Sequence, residues 1–255
     1  MSESLLEVTG LSAGYFGISV VKDVDLSVGP GEVVAVLGAN GAGKTTTLSA
    51  IAGLIKPLAG TVRLGGTDVG GTPAHKLARS GLALVPETRS LFPDMTTREN
   101  LRVARGRRSN GDDEVLDLLP ELRKCLGRRA GLLSGGEQQM LAVGRALVGR
   151  PRLLIVDEMS LGLAPVVVQR LLPVLRTAAD RFGSAVLVVE QHVSLALEVA
   201  ERAYVLAHGR VVVHGRTEHL RHRRDLLMAC YLGDLDAAAR LSAEAADRNP
   251  RHDPN

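Results

Sequence analysis

Three short runs of this chain are almost purely aliphatic: residues 33–37 (VVAVL), 153–156 (LLIV) and 185–189 (AVLVV). No polar position alternates within them, so each is expected to be a strand buried on both faces, as in a parallel sheet covered by helices. Upstream, residues 6–8, 20–28 and 61–64 read as strands separated by turns at Gly29, Pro30 and Gly31 and at Gly65 and Gly66. From about residue 73 to 150 the pattern becomes helical and more charged, broken by a surface loop expected at 107–113. Helices are expected at 139–148 and at about 166–181. Residues 204–206 and 211–213, split by His208 and Gly209, read as a terminal hairpin. The last residues, 249–255, are expected to be disordered, and the Ala-rich stretch before them a frayed helix.

Of the 255 residues 45% are hydrophobic and 2% aromatic, so the core must be packed from Val, Leu, Ile and Ala. That length suits one large domain with room for a subdomain, and the composition is that of a soluble, cytoplasmic α/β protein. The formal net charge of +3 is weak. Basic residues gather at 102–108 and 216–224, but aromatics do not interleave them, which reads as a solvated face; a contact with another subunit or an acidic membrane surface stays open. Cys125 and Cys230 carry no metal-ligand spacing and are expected to be reduced. The first seven residues are acidic, unlike a secretory signal, and no apolar run approaches the about 20 residues a bilayer span requires.

The candidate chemistry follows the first aliphatic run. Gly38, Ala39, Asn40, Gly41, Ala42, Gly43, Lys44 and Thr45 form a glycine-rich loop between a strand and a segment competent to be a helix, starting at Thr46. Such a loop can curl its backbone N–H groups into a concave cradle for a polyphosphate, and the following helix adds its positive end. Lys44 would reach the β- and γ-phosphates, and Thr45 would place its hydroxyl on Mg²⁺. At the end of the second run, Asp157 is suited to hold the metal, generally through water, and Glu158 to act as general base on an attacking water. A second anion-binding turn, Ser134, Gly135 and Gly136, precedes a helix. One nucleotide has no use for two cradles from one chain, but two facing copies would.

Taken in order, the phosphate loop, the Leu133-to-Gln138 sequence LSGGEQ and the Asp157–Glu158 pair resemble the nucleotide-binding subunit of an ABC transporter, over about residues 6–233. The resemblance implies an α/β P-loop NTPase of ABC type with a RecA-like core sheet, an N-terminal antiparallel β subdomain and a helical subdomain at about 88–150. The ATPase domain would span 1–233, followed by a partly disordered tail at 234–255. It implies ATP and Mg²⁺, and a head-to-tail dimer in which Ser134, Gly135 and Gly136 complete the partner's loop. Tyr15 falls where that family stacks a ring on adenine. Glu87 stands where most members carry a Gln that contacts the γ-phosphate and metal, and Gln191 where most carry a switch His, with His192 one place later. Alternation along an extended segment would send His192 to the opposite face. Gln191 can donate an amide hydrogen bond to a γ-phosphate but cannot become cationic. Ala164 replaces an Asp that helps join subunits, and Met159 replaces a Pro.

Finer stretches, residues 85–96, 99–101, 135–141, 160–165 and 189–191, resemble an ATP-binding subunit of the branched-chain amino acid importers, a pattern shared with importers of urea and short amides. This implies peripheral attachment at the cytoplasmic face of the membrane, a second ATPase subunit (in a heterodimer or a homodimer), two transmembrane permeases and an external solute-binding protein, with no nucleic acid. The departures at Glu87 and Gln191 leave a regulatory or slowly hydrolysing subunit as the alternative. An ABC ATPase acting outside transport is a further one, although the chain shows neither a second cassette nor a long coiled coil.

Overall fold

The computed structural model describes residues 4–105 and 112–232. The tail expected at 234–255 and most of the loop expected at 107–113 lie outside the described residues.

Two sheets form the frame. An antiparallel sheet has the order β2-β1-β4-β5 and contains β1 (Leu6–Tyr15), β2 (Ile18–Val28), β4 (Ala59–Leu64) and β5 (Thr67–Asp68). The second sheet, in the order β10-β9-β3-β8-β7-β6, contains β3 (Val33–Leu37), β6 (Leu82–Val85), β7 (Leu153–Asp157), β8 (Ala185–Glu190), β9 (Arg202–Ala207) and β10 (Arg210–Arg216). Its strands pair in parallel except for the β9–β10 hairpin. The three aliphatic runs are its central strands β3, β8 and β7, buried at every position. Their side chains alternate between two cores. Val33, Ala35 and Leu37 of β3 face one, with Leu154 and Val156 of β7; Val34 and Val36 face the other, with Leu153 and Ile155.

The helices are α1 (Lys44–Ile51), α2 (Ala74–Arg79), α3 (Thr97–Val103), α4 (Asp113–Leu118), α5 (Gly135–Val148), α6 (Pro165–Phe182), α7 (Val193–Val199), α8 (Thr217–Leu220) and α9 (Arg224–Leu232). The first core takes in α5, α6 and α9; the second takes in α1 and the antiparallel sheet. Among the described residues no helix is long and apolar enough to cross a membrane.

Several boundaries differ from the sequence expectations for physical reasons. Strand β1 runs on to Tyr15, because register shifts after Val8 break the alternation that would have revealed it. Strand β6 interrupts the stretch read as helical from 73 to 150. It is a four-residue edge strand whose apolar run, Leu82 to Val85, is too short to tell from a buried turn of helix by pattern alone. Residues 88–96 form turns, with Arg89 and Ser90 at φ 63° and 47°, and the helix starts at Thr97 under a Thr96 capping box. Helix α5 begins at Gly135, four residues earlier than its apolar periodicity suggests, because Ser134 caps it.

Candidate functional site

The parallel strands deliver the chemistry at their C-terminal edge, where open sheets of this kind present ligands. The loop after β3 ends in Gly43, the N-cap of α1, at φ 102°. A side chain there would be strained by the backbone, and its Cβ would lie 2.4 Å from Val21 Cγ1. Among the residues this sequence nominated, Asn40, Gly41, Gly43, Lys44, Thr45 and Thr46 line one groove of about 400 Å³ with Glu87 and Glu158, joined by Val20 and Leu161. Gly38, Ala39 and Ala42 build the loop behind it: Ala42 N donates to Ala39 O, and Gly38 and Ala39 offer their carbonyls to Lys44.

Lys44 is buried. Its Nζ donates to Gly38 O at 3.0 Å and Ala39 O at 3.1 Å and pairs with Glu158 Oε1 at 3.2 Å. The cation is thus folded onto its own loop and onto the candidate base. Glu158 follows β7 in the left-handed region at φ 44°, held by its N–H donating to Val189 O at 2.9 Å. Such a conformation costs on the order of 1 kcal/mol or more and persists where surrounding contacts fix it, commonly at functional sites.

Asp157 is buried at the end of β7. Burial pushes its carboxyl up to about 6, the neighbouring charge of Glu158 adds to this, and the Thr45 hydroxyl and Lys44 oppose it. Its Oδ1 is a buried oxygen without a hydrogen-bond partner. An unpaired buried carboxylate oxygen beside a threonine hydroxyl, with Glu87 close enough to add to its charge, fits a divalent cation. Among the described residues no three His, Cys, Asp or Glu side chains gather as a metal site, so the nucleotide's own oxygens would have to supply much of the coordination.

Ser134, Gly135 and Gly136 are not among the residues lining this groove. Ser134 Oγ accepts from Glu137 N at 3.3 Å, and Glu137 Oε2 accepts from Ser134 N at 2.7 Å, a capping box at the exposed start of α5. Arg89 fixes this end to the strand-β6 side: its Nε donates to Gln139 Oε1 at 2.9 Å and a second nitrogen to Gln138 Oε1 at 3.1 Å. Tyr15 sits at the tip of the β1–β2 hairpin, 43% exposed and outside the groove lining.

Gln191 and His192 lie past the strand expected to orient them. Strand β8 ends at Glu190, so alternation does not reach them. Gln191 is half-buried in a bend and His192 is the exposed N-cap of α7. Both line a cavity of about 580 Å³ beside α9, and neither lines the phosphate groove. Glu190, in the 189–191 stretch, directly follows the aliphatic run and carries no local mark of a site role. It is buried, accepts from Ser160 N at 2.9 Å and Ser160 Oγ at 2.6 Å, and burial pushes its carboxyl up. Tyr231 escaped notice, since a lone tyrosine in a C-terminal helix carries no periodic signal.

A family model described as "ABC transporter" matches residues 21–160. Over 82% of this chain and 92% of its own length, the high-affinity branched-chain amino acid transport ATP-binding protein BraG of Pseudomonas aeruginosa is 41% identical. The probable branched-chain amino acid transport ATP-binding protein LivF of Archaeoglobus fulgidus is 35% identical over 91% of this chain and 100% of its own. A solved ATP-binding subunit of an ABC transporter superposes with a TM-score of 0.77 at 31% identity, covering 94% of this chain and 100% of that one. A dimeric cassette in a post-hydrolysis state bound to ADP and phosphate shares the fold, at a TM-score of 0.73 and 24% identity over 83% of this chain and 98% of that one. The phosphate loop, the carboxylate pair and these likenesses agree: the chain belongs to the ATP-binding, ATP-hydrolysing subunits of ABC transporters.

Proposed function

We propose that this chain drives an importer of branched-chain amino acids or of a related small polar solute such as urea or an amide. The named relatives support the substrate class. The observation that carries the mechanism is the ion pair between Lys44 and Glu158. ATP phosphates entering the loop compete for Lys44 with both the carbonyls and Glu158, so binding withdraws the cation from the base. Glu158, freed, accepts a proton from the attacking water. Asp157, Thr45 and Glu87 would hold Mg²⁺, which would neutralise phosphate charge when bound. Tyr15 would stack on the adenine and Gln191 would contact the γ-phosphate.

Ser134, Gly135 and Gly136 of a second subunit, identical or similar, would close over each loop, and loss of the γ-phosphate would let the faces part. Two permeases and an external binding protein complete the system, with this subunit at the cytoplasmic face. The segment from Arg89 to the start of α3 is the surface suited to receive the permeases. Glu87 and Gln191 favour a second reading of the site, in which it binds ATP and turns over more slowly than its partner.

Glu158→Gln tests the base. Hydrolysis should fall about 10²–10⁴-fold while ATP affinity holds. Unchanged turnover in both homodimer and heterodimer would remove Glu158 from that role. Gln191→Ala and His192→Ala, measured separately in the assembled complex, test the switch: a large loss with His192→Ala and none with Gln191→Ala would reverse the assignment.

A further inference from the structure

The parallel ladder between β3 and β8 is paired as far as Leu37 and Glu190. Beyond that rung one chain enters the phosphate loop and the other the bend at Gln191. A side chain joins them where the ladder stops. Tyr231 of α9 accepts a hydrogen bond from Gly38 N at 3.2 Å and donates one to Gln191 O at 2.9 Å. A phenol suits this task because one oxygen both donates and accepts.

The ring is anchored by its helix, whose Leu226, Leu227 and Cys230 are buried in the main core. Burial, with the nearby charges of Glu190 and Glu158, pushes the hydroxyl up to about 12, so it keeps its proton in the physiological range. The bond also reaches the far side of the site. Glu190, next to Gln191, accepts both hydrogen bonds from Ser160, two residues after Glu158. Beside Gln191 and Tyr231 the cavity of about 580 Å³ leaves the bend unpacked on that flank. The Tyr231 hydroxyl is a direct tie from α9 to the Gln191 carbonyl on the flank that faces this cavity.

We propose that Tyr231 is a positioning residue for ATP hydrolysis: it splices the first residue of the phosphate loop to the backbone of Gln191 and so sets where the Gln191 amide meets the γ-phosphate. This rests on the reading of Gln191 as the γ-phosphate contact. The C-terminal helix thereby becomes part of the nucleotide site, and a displacement of α9 would slow hydrolysis without touching ATP.

The test is Tyr231→Phe, which keeps the ring and removes the hydroxyl, alone and combined with Gln191→Ala, in the full chain within its assembled transporter. ATP turnover, KM, equilibrium ATP affinity and thermal unfolding are read for each. Loss of one well-placed hydrogen bond should lower kcat about tenfold. KM and ATP affinity should stay within about twofold, a split that a merely structural role would not give, and the melting temperature should fall only by the few degrees that one lost hydrogen bond costs. In the Gln191→Ala background Tyr231→Phe should add no further loss. Unchanged kcat in Tyr231→Phe beside a loss in Gln191→Ala overturns the positioning role and leaves the Gln191 reading standing. Unchanged kcat in Gln191→Ala removes that reading and the proposal with it. Equal losses from Tyr231→Phe in both backgrounds, or a fall in ATP affinity matching the fall in kcat, also overturn it.

Discussion

Two helix N-termini in this chain are proposed to meet the nucleotide, and they are finished in opposite ways. Helix α1 has Gly43, in the left-handed region, at its N-cap position, without a side-chain cap or an acidic residue in its first turn. Helix α5 is N-capped by Ser134 in a reciprocal box with Glu137, itself paired with Arg128 at 3.0 Å. The first end leaves its N–H groups to be met by a ligand, with Lys44 folded back onto the Gly38 carbonyl of the loop. The second satisfies itself and stays ordered while exposed. A bare end suits the cradle that holds the nucleotide through a cycle. A capped end suits a surface that must wait, intact, for another subunit to arrive.

Methyl groups break this comparison most sharply. Gly43→Ala forces an L side chain to positive φ and into Val21, so ATP binding should be lost and stability should drop by about 1–3 kcal/mol, read by nucleotide titration and denaturant melts. In Gly135→Ala the nearest atom to the added Cβ is an Arg89 nitrogen at 3.8 Å. The melting temperature and monomer ATP binding should be unchanged, with any loss confined to dimer-dependent hydrolysis. Equal damage from the two would mean the ends are not differently built.

Asp157→Asn sharpens the cost of the unfinished side. The buried carboxylate is ionised at neutral pH against its environment, so the nucleotide-free variant should be about 1–3 kcal/mol more stable at pH 7. A carboxyl raised to about 6 destabilises the fold above that pH, and the penalty fades as pH falls towards the unfolded value near 4, so the gain should vanish there. Metal-dependent ATP binding should weaken in the same variant. The smallest effect concerns a third N-terminus. Ala164 caps α6 with no side-chain bond. Ala164→Asp should add about 0.5–1 kcal/mol to the isolated chain, measured by chemical denaturation.

The sequence made this contrast only half visible. The bare end is written in glycines with Lys44 and Thr45 behind an aliphatic strand, because phosphate binding and double-sided burial both demand specific residue types. Strands β3, β7 and β8 were legible for the same reason. The long β1 was not, since its bulges interrupt the period, and edge strand β6 was not, since four apolar residues are too few to separate a strand from a buried turn of helix. The site's connections were harder still. Glu190 directly follows an aliphatic run and carries no local mark of a site role, the bend at Gln191 ends the alternation on which its facing was judged, and Tyr231 lies 193 positions from its partner Gly38. Local pattern carries no information about contacts that distant.

The ion pair between Lys44 and Glu158 has a consequence for an idle subunit. On the roles proposed above, the base that would activate water is tied down by the residue that recognises the fuel. The site behaves as an interlock: its reactive group is released by the arrival of the molecule it is to act on, and an empty subunit is disarmed by its own lysine.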